Sequence, residues 1–233
     1  MPASRPGRGP RTRPFEEIEA LAIEHHGNRE AVEAKLGRPK TAAELAAIPD
    51  DRWLAGMTKA VFSAGFVWKV IEAKWEGFEA AFDGFDPGRV ALYSDDDIAR
   101  LVSDERIVRN GQKITATVQN AQFVQDIAAE HGGFGAFLAG WPASDQVGLL
   151  QLFAKRGSRL GGNTGQYFLR FSGWDAFIAS GDVVKALIRE GVIDKAPTGK
   201  AAMQNVQDAF NHWTTETGRS QMEISRILAL SIG

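Results

Sequence analysis

Residues 155–167 read KRGSRLGGNTGQY, four glycines set among three basic residues. Apolar residues recur at helical spacing on both sides, from about Ser144 to Arg156 and from Asn163 to about Phe171, so the stretch is a tight turn joining two helices. Glycine permits backbone conformations and close approaches that a Cβ would forbid. A turn that delivers free amides at a helix N-terminus is a natural seat for an anion such as a nucleic-acid phosphate. The run Gly161-Gly162-Asn163-Thr164 fits that helix start, with Gly157 in the turn and Lys155 and Arg159 supplying positive charge. The same pattern also fits an ordinary turn in which Gly161 caps a helix and the basic residues sit on a solvated face.

Outward from the turn, helical spacing continues in both directions without any sustained two-residue alternation, which predicts an all-α fold. Phe15, Ile18, Leu21 and Ala22 form one face of a first helix ending near Gly27. Thr41 with Glu44, and Ser220 with Glu223, have the spacing of capping boxes and mark helix starts. Further helices are expected over Asp51 to Ser63, over a segment carrying Trp68, Ile71, Trp75 and Phe78, from about Gly111 to Glu130, and over about Lys200 to Thr217 and Ser220 to Ser231. A flexible basic arm is expected over residues 1–13, with Arg5, Arg8, Arg11 and Arg13, followed by a single helical domain over residues 14–233 with its hairpin at about 155–167.

A chain of 233 residues with 44% hydrophobic content can bury one sizeable core or two closely associated lobes. It has no cysteine, which excludes disulfides and cysteine-based zinc or redox sites, and its four histidines are scattered; no metal and no cofactor are expected. No run approaches the length of a membrane span and no apolar stretch follows the basic start, so a cytoplasmic location without a membrane partner is expected. The net charge of -2 argues against a protein that coats nucleic acid indiscriminately. A local basic patch, such as Lys155, Arg156, Arg159 and Arg170, remains compatible with it.

Four segments, in order, give the chain a family resemblance. They are Ala64-Gly65-Phe66-Val67-Trp68, the stretch FEAAFDGFDPGRV over 78–90, the region from Asp96 through Ile107-Val108-Arg109-Asn110 and Lys113-Ile114 to Asn120-Ala121, and Lys155-Arg156-Gly157 with Gly162, Thr164 and Tyr167. Together they resemble the DNA-3-methyladenine glycosylase I family, within the wider superfamily of helix-hairpin-helix DNA glycosylases, over about residues 64–170. The resemblance implies two closely packed helical lobes, double-stranded DNA with an alkylated or otherwise damaged base as partner, and a monomeric enzyme of base-excision repair. It implies a hairpin that holds the DNA backbone through Lys155, Gly157, Arg159, Gly161, Gly162 and Thr164. Trp68 matches the family's stacking tryptophan, with Trp53 and Phe62 on the preceding helix as further pocket candidates and Phe66 as a wedge into the gap left by a flipped base. Trp75, Phe78, Phe82, Phe210 and Trp213 read as core aromatics.

The chain departs from the family where chemistry is concerned. The cysteines of the family's zinc site are absent, and its pocket glutamate corresponds to Ala60. The aspartate that the superfamily often carries after the hairpin falls on Ser180 or Gly181, depending on register; the nearest carboxylates, Asp182 and Asp175, are the catalytic candidates. Asp182 also fits a simple cap for a helix over Val183 to Glu190. A monofunctional hydrolysis of the N-glycosidic bond of an alkylated purine such as 3-methyladenine is expected, since no lysine stands where Schiff-base chemistry would need it. Two other readings stay open: a non-catalytic module that binds damaged DNA, supported by Ala60, and an N-glycosidase acting on RNA or a nucleoside.

Overall fold

The computed structural model describes residues 13–233, and every regular element among them is helical. The expected arm lies outside the described residues except for Arg13. Its guanidinium is 2.9 Å from the buried carboxylate of Glu190, so this arginine is committed to an ion pair.

The described residues fall into two compact units, one formed by the chain up to Arg38 together with Phe177–Gly233 and the other by Pro39–Ala176. The first opens with α1 (Phe15–His26) and α2 (Arg29–Glu33). The second contains α3 (Ala42–Ala46), α4 (Asp50–Ser63), α5 (Trp68–Ala73), α6 (Trp75–Ala81), α7 (Pro87–Val90), α8 (Asp95–Ser103), α9 (Gly111–His131), α10 (Phe134–Gly140), α11 (Gln146–Arg156) and α12 (Gly162–Ser172). The chain then returns to the first unit with α13 (Gly181–Arg189), α14 (Gly199–Thr217) and α15 (Gln221–Leu230).

Both expected capping boxes are present: Thr41 and Ser220 each accept a bond from the amide three residues on and receive the reciprocal glutamate at their own amide. The Phe85-Asp86-Pro87 stretch explains itself physically. Phe85 is fully buried, the Asp86 carboxylate caps the amides of Gly88 and Arg89, and Pro87 occupies the first helical position, where a missing N–H costs nothing. The segment expected as one helix from Trp68 to Phe78 is divided at Lys74, whose backbone leaves helical values (φ -101°, ψ 3°). Lys74 donates to the carbonyl of Glu105 at 2.7 Å, and the redirected Trp75 stacks on Phe85 with centroids 5.4 Å apart.

In the second unit an aromatic core locks α4, α9, α10, α11 and α12 together. Trp53 meets Phe134 at 5.7 Å and Phe168 at 6.1 Å, while Phe153 meets Phe123 at 5.9 Å and Phe168 at 5.8 Å. Burying such rings contributes about 1.5–3 kcal/mol each, and the edge-to-face geometries add about 0.5–1.5 kcal/mol per pair. In the first unit, Phe15 of α1 packs against Trp213 of α14 at 5.7 Å, and its amide donates to Glu216. The expected core roles of Phe78, Phe82, Phe210 and Trp213 agree with their complete burial.

Candidate functional site

The hairpin joins α11 to α12 through residues 157–161. It is packed too tightly for side chains at two positions. A Cβ on Gly157 would lie 2.9 Å from the carbonyl oxygen of Phe153, and one on Gly165 would lie 2.6 Å from Leu150 Cδ2 and closer still to the carbonyl oxygen of Leu160. Leu160 itself is fully buried and pins the turn to the core. Gly162 starts α12 with φ +57°, a conformation that disfavours any Cβ.

The buried Asn120 of α9 clamps the turn from below. Its amide nitrogen donates to the carbonyl of Ser158 at 3.0 Å, and its oxygen accepts from the Ser158 amide at 2.7 Å. Asn120→Ala leaves both Ser158 groups without these partners, so the expected result is a loss of about 1–3 kcal/mol. Hydrogen exchange at the amides of residues 157–161 should quicken correspondingly; unchanged exchange there would remove Asn120 from the account.

The basic residues divide by what they already hold. Arg156 makes a two-pronged bond to Glu130 at 2.9 and 2.7 Å, and Arg170 donates to the carbonyl of Ala176 at 2.9 Å. Those two are spent within the fold. Lys155 and Arg159 are exposed, and Arg159 donates to the neutral Gln112 side chain, a bond that leaves its charge in place. α12 starts at Gly162, with Gly161 before it, and no side chain caps its first amides, where the positive end of the helix dipole lies. Thr164 lies in that first turn, half-buried.

A second loop, residues 64–67, connects α4 to α5. Gly65 adopts φ +77°, and the turn closes with the Phe66 amide donating to Ser63 at 3.1 Å. Phe66 is 43% exposed and Val67 67% exposed, an uncommon display of large apolar side chains. The loop is held by Lys113 of α9, whose ammonium donates to the carbonyl of Phe62 at 3.1 Å and to that of Ala64 at 2.7 Å, and lies 4.6 Å from the Phe66 ring centroid. Lys113 thus satisfies carbonyls at the C-terminal end of α4, where the helix dipole favours a cation. Burial lowers its pKa from the ordinary lysine value, and the positive charge of Arg159 adds to the effect. Its role was not foreseen, although Lys113, Thr117 and Asn120 fall on one helical stripe that is otherwise apolar.

Between α4, α5 and α12 lies a cavity of about 400 Å³, walled by Gly56, Ala60, Trp68, Phe168, Phe171 and Ser172. Trp68 meets Phe171 edge to face at 4.9 Å and Tyr167 at 6.2 Å, and Tyr167 stacks on Phe171 at 5.8 Å. The C-terminal half of the hairpin's second helix therefore supplies one wall of the cavity. Two charged side chains, Lys59 and Glu72, complete the lining, 3.5 Å apart.

The other expected site residues stand elsewhere. Trp53 is 1% exposed with its indole N–H bound to the carbonyl of Ile48, and Phe62 is fully buried against Phe78; both are core residues with no face free for a ligand, which corrects their expected place in the pocket. Asp182 belongs to the other unit, where it is exposed and bound to Lys185 at 2.9 Å. It does not cap α13 either, since Ser180 does so by accepting from the Val183 amide. Asp175 is half-buried in the segment after α12 and is not among the residues lining the cavity. The described residues contain no group of three or more His, Asp or Glu side chains arranged to hold a metal.

A glycine hairpin beside an aromatic-walled cavity, within an all-helical unit, is the arrangement that the sequence resemblance leads one to expect. Residues 49–149 match the family model described as methyladenine glycosylase. A stretch of 59 residues, 25% of this chain, is 41% identical to DNA-3-methyladenine glycosylase 1 of Escherichia coli (strain K12) and spans only 32% of that relative. Among solved structures, 3-methyladenine DNA glycosylase I from Staphylococcus aureus, whose structure addresses 3-methyladenine recognition, is 25% identical with a TM-score of 0.50 over 66% of this chain and 91% of that one. A substituted 3-methyladenine DNA glycosylase I in complex with 3-methyladenine is 26% identical, with a TM-score of 0.50 over 65% of this chain and 91% of that one. By these matches the chain is similar to methyladenine glycosylases over residues 49–149. No helix among its described residues is long and apolar enough to cross a membrane.

Proposed function

We propose that the protein is a base-excision glycosylase that hydrolyses the N-glycosidic bond of an alkylated purine such as 3-methyladenine in double-stranded DNA, acting as a cytoplasmic monomer. The observation that carries this reading is the cavity beside Trp68, which shares α12 with the hairpin. A base must leave the helical stack to be excised, and a flipped base is held between aromatic or apolar walls. Trp68 and Phe171 form such walls, and Phe66 on the neighbouring exposed loop fills the gap left in the duplex. Open amides at the start of α12, with Lys155 and Arg159, hold the backbone phosphates.

The chemistry asked of the protein is modest. An alkylated purine carries positive charge and is already a good leaving group, and its charge is attracted to the tryptophan face. A carboxylate that steadies the cationic sugar and orients water completes the task. Asp175, in the same compact unit as the cavity, is the aspartate candidate for that role.

Incubation with methylated duplex DNA should release 3-methyladenine above the level of heat-inactivated protein. Replacing Lys155 and Arg159 by alanine should weaken duplex binding and flatten its salt dependence by about one unit per charge removed. Ala60, where the family's carboxylate would stand, favours a second reading as a damage-binding module. Tight binding to abasic-site DNA without release of any alkylated base would establish that reading in place of the first.

A further inference from the structure

The cavity beside Trp68 is lined by two charged side chains that the family resemblance does not account for. Glu72 lies four residues after Trp68, on the same face of α5, and Lys59 reaches in from α4, one position before Ala60. Their charged atoms are 3.5 Å apart, close enough to attract but longer than the 2.7–2.9 Å of a strong charge-assisted hydrogen bond. The Lys59 ammonium has a second anchor, the Trp75 ring 5.3 Å away. The Glu72 carboxylate is thus held at the cavity with acceptor capacity left over.

Resting on the glycosylase reading, we propose that Glu72 is the residue that recognises the base, and that Lys59 is the residue that positions it. The ligand class is a cationic N-alkylated aminopurine. With the ring against Trp68, its exocyclic amino group donates to the Glu72 carboxylate, and the same carboxylate offsets the positive charge on the ring. The wall formed by Ala60 is apolar and small, so α4 leaves room for a carboxylate that arrives from α5 instead. An ion pair at an ordinary surface contributes about 0–1 kcal/mol and needs no aromatic neighbour. This one stands in the lining of an aromatic cavity, where a carboxylate has a ligand to meet.

Calorimetric titration with free 3-methyladenine and with adenine, on wild type, E72Q, K59M and K59R, tests the assignment alongside excision from methylated duplex. Glu72 is exposed and its ion pair with Lys59 spans 3.5 Å, so E72Q should melt within a degree or two of wild type. It should bind 3-methyladenine at least tenfold more weakly, as expected for loss of a hydrogen bond to a charged group. K59M should weaken binding severalfold, and K59R, which keeps the ion pair, should restore it. Wild-type binding and excision by E72Q would overturn the assignment and leave the glycosylase reading standing. If wild type binds the base without excising it and E72Q loses the binding, the assignment is supported and the enzyme reading falls. Absence of both binding and excision in wild type would overturn the two together.

Discussion

Trp68→Ala is expected to lower the rate of base release from methylated duplex by on the order of ten- to a hundredfold while leaving the fold in place. Trp68 is half-buried, lines the cavity and packs against the rings of Tyr167 and Phe171. Stacking of a base on an aromatic ring is worth about 1–3 kcal/mol, and alanine also removes the face that attracts a cationic purine. The structural cost is smaller, about 0.5–1.5 kcal/mol for each aromatic pair lost. Trp68→Phe should fall between, since a phenyl ring fills the wall but attracts a cation less. Single-turnover release, with a melting curve for each variant, separates the two effects. Unimpaired release by Trp68→Ala would take the cavity out of the mechanism.

The largest expected stability effect is at Gly165. Even a methyl group there would press on the Leu160 carbonyl, a backbone atom that cannot rotate away, and on the buried Leu150 side chain. Overpacking of this kind costs about 1–3 kcal/mol, and with rigid backbone on one side Gly165→Ala should reach the top of that range. Gly165→Val should exceed it. Chemical denaturation should show the midpoint falling with an unchanged slope, and duplex affinity should fall with it. Gly161 makes the informative contrast. A Cβ there meets nothing closer than Ala154 at 3.5 Å, so Gly161→Ala should keep its stability and weaken only the approach of a phosphate. Equal destabilisation by both substitutions would contradict the packing described.

The parts of the fold legible in sequence are those set by near neighbours. Thr41 with Glu44 and Ser220 with Glu223 announce helix starts because both partners lie within one turn. The hairpin is legible because its glycines and its flanking periodicities agree. The division at Lys74 carries no glycine or proline to mark it; it depends on the carbonyl of Glu105 and on the ring of Phe85. Helical spacing places Trp53 and Phe62 on faces of α4 but does not tell which face meets the core, and both went to the core. Nothing in the sequence singles out Glu72, since only the packing of α5 against α4 and α12 makes a cavity there. Lys113 was missed for a similar reason, as the carbonyls it serves lie 51 and 49 residues away.

Lys113 and Asn120 also share one helix, seven residues apart, with the buried Thr117 between them donating back to the Lys113 carbonyl. Lys113 holds the loop of Phe66, and Asn120 holds the hairpin. At the helical rise of about 1.5 Å per residue the two mounts are roughly 10 Å apart on a single rod. The two loops therefore share one helical support, and the separation of their mounts is set by the pitch of α9. On the proposed function, that pitch would fix the distance between a phosphate seated at the hairpin and the ring of Phe66.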